Sequence, residues 1–176
     1  VESLKMMQVI GANSVRPIQV LKLGFNDLKD LGTSLSIEWL KKHYMNPKVV
    51  DLSFNDIGDE GAKSLAESHL VDTLEDLHLC GNRIGCNGFM HLGKNFSRST
   101  TLRSFHASGN NGKEGGAAYI AEIFNQPHTA LNTFIFSGNN IGKEGARMIS
   151  TALSTNSTLT HVDLSNNGIT DVGAEC

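Results

Sequence analysis

Apolar side chains recur along this chain in two alternating patterns. Short segments such as residues 74–79 (LEDLHL) have apolar residues at alternate positions around their last pair, and this period of two predicts a β-strand. A helical stripe with spacing i, i+3, i+4, i+7 follows, and it is clearest over residues 89–96, 117–124 and 146–153. The i+4 place is small in each stripe, which predicts close approach of the helix to the sheet. The pattern therefore predicts a succession of strand–helix units.

An Asn follows each predicted strand, and a Gly follows that Asn after six residues. Successive Asn lie 27 to 29 residues apart, at Asn26, Asn55, Asn82, Asn110, Asn139 and Asn167. The matching glycines are Gly32, Gly61, Gly88, Gly116, Gly145 and Gly173. A fixed period of this length is typical of solenoids, and about six units fill the 176 residues.

The pattern L-x-x-L-x-L-x-x-N at this period resembles the leucine-rich repeat family, specifically its ribonuclease-inhibitor-like class. The best matches are LEDLHLCGNRIGCNGFMHLG, LNTFIFSGNNIGKEGARMIS and LTHVDLSNNGITDVGA. The resemblance implies an α/β fold: a right-handed β-α solenoid, or horseshoe, with parallel strands on the concave side and helices on the convex side. It also implies that the Asn side chains form a ladder between neighbouring turns. The Gly would lie where the chain enters each helix, at a place where a Cβ would crowd the next unit.

The repeats divide the chain into residues 18–176, with six units of which the last is truncated, and residues 1–17, the helical half of a preceding unit. Neither end has the polar outer face of a capping unit, so we expect a segment of a longer polypeptide. Unit four has Ala107 and Gly112 where large apolar residues normally lie, which predicts thin packing in that turn.

Composition narrows the classes of function. Lys and Arg number 15 against 18 Asp and Glu, and a net charge of −3 argues against nucleic acid as a partner. The sequence contains no apolar run long enough for membrane insertion and no N-terminal signal peptide. Three cysteines are too few for a disulfide framework, so a reduced, cytoplasmic setting is expected.

Two segments, 109–116 and 138–145, are similar to phosphate-binding loops, because each combines Gly with Lys between a strand and a helix. Their spacing is one residue short, Glu114 and Glu144 replace the hydroxyl that would meet magnesium, and the repeat already accounts for the glycines. The sequence has no G-x-S-x-G, H-E-x-x-H or C-x-x-C motif. We therefore expect no cofactor and no enzymatic activity.

Side chains that flank the buried centre of each strand should form two columns on the concave face. One column is Lys22, Asp51, His78, His106, Ile135 and Asp163; the other is Val20, Val49, Asp76, Ser104, Thr133 and His161. Asp51, Asp76, His78 and His106 would converge, with Cys80 nearby, and His with carboxylate is a donor set that zinc accepts. A hydrated surface of mixed polar residues is the favoured interpretation, and no metal is assigned.

Phe25 and Phe54 precede their Asn residues, where later units have Gly or Asn. They are predicted either to stack as an exposed patch at the concave rim or to pack on Trp39 or on a preceding unit.

We expect a non-enzymatic interaction module that binds another protein, whose identity stays open. The predicted contact residues are Phe25, Asp51, Phe54, Asp76, His78, Arg103, His106, His161 and Asp163. The resemblance leaves two alternatives: a GTPase activator similar to the Ran GTPase-activating proteins, and an architectural subunit of a ciliary or cytoskeletal assembly.

Overall fold

The computed structural model describes residues 17–170, so the expectations for residues 1–16 and for Gly173 lie outside the described residues. Six strands of three residues each form one parallel sheet in sequence order. They are β1 (Val20–Lys22), β2 (Val49–Asp51), β3 (Asp76–His78), β4 (Ser104–His106), β5 (Thr133–Ile135) and β6 (His161–Asp163). A helix follows each of the first five strands, and the predicted strand–helix solenoid is thereby confirmed.

The helices differ in length and cover one side of the sheet. They are α1 (Lys29–Lys42), α2 (Asp59–Ala66), α3 (Cys86–Phe96), α4 (Lys113–Phe124) and α5 (Gly142–Leu153). A short 3-10 helix, His69–Asp72, links α2 to β3. In the inner strands the central residue is buried and its two neighbours are half-buried, as the period of two predicts. Consequently the sheet packs one face on the helices and leaves the other open.

The core between sheet and helices is continuous and is rich in Phe in the middle of the solenoid. The expectation of thin packing in unit four is wrong. A Cβ on Gly112 would lie 2.9 Å from Phe136 Cζ and 3.1 Å from Phe89 Cδ2. The rings of Phe89 and Phe136 meet edge to face, with centroids 4.9 Å apart. Large residues from the flanking units therefore fill the space that Ala107 and Gly112 leave.

A ladder of buried Asn side chains connects the turns that follow the strands. Asn139 is fully buried, and its Nδ2 donates to the carbonyl oxygens of Ala107 at 2.9 Å and Phe136 at 3.2 Å. Its Oδ1 accepts from the backbone N–H of Gly112 at 3.3 Å. Asn55, Asn82, Asn110 and Asn167 are also buried. Asn26 is exposed, and among residues 17–170 its Nδ2 donates to Leu23 and Gly24 of its own turn.

The repeat glycines lie in the first turns of the helices, but the unit they would crowd is not the one expected. A Cβ on Gly145 would lie 2.7 Å from Ile141 Cβ, 3.1 Å from Ala117 Cβ and 3.4 Å from Glu114 Cα. Ala117 and Glu114 belong to α4, so the crowding is against the preceding unit instead of the next. The small residue in the middle of the helical stripe also serves helix–helix contact: a Cβ on Gly93 would collide with the backbone of Tyr119 in α4.

Two helix N-termini are capped by a carboxylate of the preceding helix, a device that the sequence analysis did not identify. Asp30 Oδ1 accepts from Gly58 N–H at 2.7 Å and Gly61 N–H at 3.0 Å. Asp59 Oδ1 does the same for Gly85 at 2.7 Å and Gly88 at 2.9 Å. Each carboxylate satisfies N–H groups that the helix itself leaves without a partner and opposes the positive end of its dipole.

Substituting Gly145 by Val should lower the free energy of unfolding by well over ~1 kcal/mol, because the added side chain would collide with α4 where the units stack. Chemical denaturation measures the difference. Lys143→Val introduces the same side chain at an exposed position of the same turn and should have little effect. Equal losses in both variants would contradict the placement of Gly145 at the stacking contact.

Asp59→Ala should destabilise the fold by about 0.5–2 kcal/mol, the usual cost of removing a helix N-cap. Glu60→Ala is the matched control, since Glu60 also lies in the first turn of α2 but is exposed. Both substitutions remove a negative charge from the N-terminus of α2, so the difference between their urea midpoints isolates the cap on α3. A difference of zero would show that the cap contributes nothing.

Candidate functional site

The open face of the sheet, here called the concave face, carries the two predicted columns in the predicted register. Lys22 pairs with Asp51, Asp51 with His78, and His78 with His106. The second column places Asp76 beside Ser104. Because the strands are parallel and in register, side chains from units about 28 residues apart in sequence become lateral neighbours.

Asp76, His78 and His106 form a cluster, here called the His–Asp cluster, at the centre of this face. His78 Nε2 lies 3.0 Å and His106 Nε2 lies 4.0 Å from Asp76 Oδ1. The two imidazole rings stack with centroids 4.3 Å apart and an interplanar angle of 11°. All three side chains are half-buried. Three polar groups from two adjacent strands therefore meet at one point.

Burial changes the electrostatics of this cluster. Desolvation lowers the pKa of His106 from its ordinary value, and the neighbouring His78 lowers it further, while Asp76 opposes the shift. Asp76 Oδ1 is buried, and no hydrogen bond from the described residues reaches it despite its proximity to His78. A carboxylate oxygen in that state keeps an electrostatic contact with His78 but no aligned donor, which replaces the hydrogen bonding of water only in part.

Asp51 and Cys80 are not part of the cluster, contrary to the expected convergence. Asp51 Oδ1 accepts from the backbone N–H of Ser53 at 2.9 Å. The half-buried Cys80 thiol is hydrogen-bonded to Ser108, and burial raises its pKa. Among residues 17–170, the set of three ligating groups whose atoms lie within 4.8 Å of one another is Asp76, His78 and His106.

Ser104 Oγ lies 2.7 Å from His106 Nε2, which places a hydroxyl, an imidazole and a carboxylate together. The arrangement differs from a nucleophilic triad, because a triad has the hydroxyl and the carboxylate on opposite ring nitrogens. Here Ser104 and Asp76 both approach Nε2. The three side chains therefore do not form a Ser–His–Asp triad.

Phe25 and Phe54 stack on each other at the rim where the strands end. Their ring centroids are 4.4 Å apart with an interplanar angle of 13°, and the residues are 77% and 50% exposed. The two rings stack and are exposed, as one of the two predictions has it, and the ring contact found for Trp39 is with His43. The alternative of packing on a preceding unit lies outside the described residues. The ring of Phe54 also covers Gly81, in the space that a Cβ there would need.

Both phenylalanines have positive φ, 61° for Phe25 and 55° for Phe54. This left-handed conformation is unfavourable for residues with a Cβ and costs about 1–2 kcal/mol each. At the equivalent turn positions the later units have Gly81, Gly109 and Gly138, which adopt φ near 65° without that cost. The two rings are therefore held out from the turns at an energetic cost.

The other predicted contact residues are more scattered. His161 is exposed, and its Nδ1 lies 3.0 Å from Thr160 Oγ1. Asp163 Oδ1 accepts from Ser165 N–H at 2.8 Å, and hydrogen bonds from Ser165 lower its pKa. Arg103 precedes β4 and is exposed at the edge where the strands begin.

A charged row at that starting edge was missed by the sequence analysis. Lys48 Nζ lies 2.6 Å from Glu75 Oε1, and the hydrogen bond from Lys48, aided by Arg103, lowers the pKa of Glu75. Each of these residues immediately precedes a strand, so a column at that position would have predicted their proximity. The row gives the concave face a polar border opposite the Phe rim.

Comparison with known proteins identifies the repeats. The leucine-rich repeat model matches residues 48–66, 129–150 and 155–176. NACHT, LRR and PYD domains-containing protein 14 of Homo sapiens is 30% identical over 151 residues, which cover 84% of this chain and 13% of that protein. The ribonuclease inhibitor of Sus scrofa is 27% identical over 128 residues, which cover 72% of this chain and 28% of that protein. This chain thus spans less than a third of either relative.

A solved structure shares the fold. The leiomodin-1 actin-binding site 2 superposes with a TM-score of 0.54 at 15% sequence identity, covering 93% of this chain and 77% of that one. At this identity the likeness concerns the fold alone.

Across residues 17–170, no helix is both long enough and apolar enough to cross a bilayer.

Phe54→Gly should leave the free energy of unfolding within about 1 kcal/mol of the original chain, because relief of the left-handed conformation offsets the greater freedom of Gly in the unfolded state. Urea denaturation of the variant and of the original chain measures the difference in the free energy of unfolding. The contrast is Phe105→Ala, at a fully buried strand centre, which should cost about 3–5 kcal/mol. A comparable loss for Phe54→Gly would mean that this ring is a structural element and not a free surface.

Proposed function

This chain belongs to the leucine-rich repeat family, in its ribonuclease-inhibitor-like class, and we propose that it is a protein-binding module. The partner docks on the concave face and the adjoining rim, with the stacked Phe25–Phe54 pair as the apolar anchor. Binding is non-enzymatic in this proposal, the partner is a protein and not a nucleic acid, and the expected compartment is the cytoplasm.

The observation that carries the proposal is the conformation and exposure of the two rings. Each ring lies in a left-handed turn where the same chain elsewhere uses Gly, and neither ring fills the core. A strained position with an exposed aromatic side chain has a conformational cost, which the stacking of the two rings and the contact of Phe54 with Gly81 offset only in part. Burial against a partner supplies the compensation, and paired aromatic residues are frequent centres of interface binding energy.

The polar groups of the concave face also support protein binding. The His–Asp cluster and the charged row offer hydrogen-bonding groups beside the apolar rim, which is the arrangement of a protein interface with an apolar centre and a polar surround. The strands hold these groups in register before any partner arrives, so binding requires little ordering of the chain.

The similar proteins also have macromolecular partners by name. The relative from Sus scrofa is a ribonuclease inhibitor, and the leiomodin-1 chain is an actin-binding site. These names support protein binding as the general role and leave the partner of this chain open. Free Cys80 and Cys86 among the described residues agree with the expected reduced compartment.

Replacing Phe25 and Phe54 together by Gly should weaken partner binding by about 1–3 kcal/mol per ring, the range of interface anchors. The experiment compares proteins retained from a cell extract by the original chain and by this variant, and then measures affinity for the differentially retained partner by calorimetry.

Lys63→Ala and Arg147→Ala, on helices α2 and α5, are the controls and should change affinity by less than about 0.5 kcal/mol. If the helix variants lost binding while the Phe variant kept it, the convex side would be the interface. That result would favour the architectural alternative. Accelerated GTP hydrolysis by a retained small GTPase would favour the activator alternative.

A further inference from the structure

We propose that Asp76, His78 and His106 bind a divalent zinc ion on the concave face. Sequence reasoning favoured a merely hydrated surface at this place, and the geometry of the His–Asp cluster points to a metal site instead. The proposal does not depend on the Phe pair, although the same three residues lie in the proposed protein interface. Its test uses Zn²⁺ alone, so either proposal can fail without the other.

The donor atoms have the spacing that a tetrahedral ion needs. Zinc bonds to imidazole nitrogen and carboxylate oxygen are about 2.0–2.2 Å long, so two ligands of one tetrahedral ion lie about 3.4 Å apart. The distances from Asp76 Oδ1 to the two Nε2 atoms are 3.0 Å and 4.0 Å, on either side of that value. The three ligating atoms all lie within 4.8 Å of one another, and a bound ion would replace Ser104 Oγ, which now lies 2.7 Å from His106 Nε2.

The sheet fixes where these donors are. His78 and His106 occupy paired positions of β3 and β4, and Asp76 lies two residues before His78 on the same face. The residues between them in the strands, Leu77 and Phe105, are fully buried and anchor both strands in the core. The strands therefore hold the ligating side chains close together before an ion binds, which reduces the conformational entropy lost on binding.

The buried oxygen of Asp76 points independently to a cation. Asp76 Oδ1 is shielded from solvent and lies 3.0 Å from His78 Nε2, without the alignment of a hydrogen bond. A buried carboxylate oxygen without a donor is unfavourable, and a coordinated cation removes that cost. No Lys or Arg ion pair to Asp76 is found among the described residues, where the titratable side chains beside it are the two His.

The chemistry of the donors selects the class of ion. Two imidazole nitrogens favour zinc and its transition-metal neighbours, whereas calcium and magnesium prefer sets made of oxygen. Two His and one carboxylate leave the fourth tetrahedral position for a water molecule, as in zinc sites with an open position. The side chains are about one-quarter to one-third exposed, so solvent reaches that position.

The test is a titration of the untagged chain with Zn²⁺, followed by calorimetry and by competition with a chromogenic chelator. We expect one Zn²⁺ per chain. His78→Gln and His106→Gln should each weaken binding by more than ~10-fold, because loss of even an indirect partner of a metal ligand costs 10–100-fold. Co²⁺ substituted for Zn²⁺ should show the visible absorption of a four-coordinate ion in the original chain and lose it in both variants.

His161→Gln is the matched control, since His161 lies on the same face two residues from a carboxylate but on a strand whose paired neighbour is Thr133. It should bind Zn²⁺ as the original chain does. Cys80→Ser controls for thiol ligation. The proposal is overturned if the two His variants keep the affinity, if Cys80→Ser abolishes binding, or if no stoichiometric binding occurs. Circular dichroism of each variant confirms that a loss reflects the ligand and not the fold.

Discussion

Hydrogen bonding of the backbone at the end of each strand is the constraint on which this structure depends. The chain turns sharply from strand to helix in every unit, and the turn buries N–H and C=O groups that neither element can satisfy. Asn82 shows the solution: its Oδ1 accepts from the backbone N–H groups of Asn55 and Ile57, and its Nδ2 donates to the carbonyls of Leu52 and Leu79. One side chain thus closes its own turn and ties it to the preceding unit, so successive strands are held in register.

The same turn explains why aromatic residues can be displayed at the rim. The residue before each repeat Asn adopts positive φ at every turn from Phe25 to Asn166, whichever residue type occupies the position. The ladder and the core determine that backbone conformation strongly enough to impose it on Phe25 and Phe54. A turn with so many hydrogen bonds can hold a residue in the unfavourable left-handed conformation. The side chain at that position lies outside the core. Surface function and fold therefore share one position without competing for it.

Features that follow from the repeat period could be predicted from the sequence. Features that depend on an individual side chain of a neighbouring unit could not. Spacing alone predicted the strands and the columns, because both depend on register, and it gave the stacked Phe pair as one of two alternatives. The expected thin packing at Gly112 was wrong, since Phe89 and Phe136 come from the units on either side. The Asp30 and Asp59 caps were missed because they occur in two units and act on the next helix. Asp51 was expected beside the His–Asp cluster, but a local amide takes its carboxylate, and that choice depends on side-chain rotamers.

The two sites of the concave face derive their geometry from the same ladder while using different atoms. Asn82 bonds the turn that carries Phe54 to the end of the strand that carries Asp76 and His78, and Asn55 bonds the turn that carries Phe25, so the same ladder supports the Phe rim and part of the His–Asp cluster. The side chains themselves remain separate: the Phe54 ring covers Gly81, whereas the cluster contacts Ser104. A change at either surface therefore leaves the other in place, and only a change in the ladder would move both. In the proposals made here, this separation lets one open sheet carry both a protein-binding rim and a metal site.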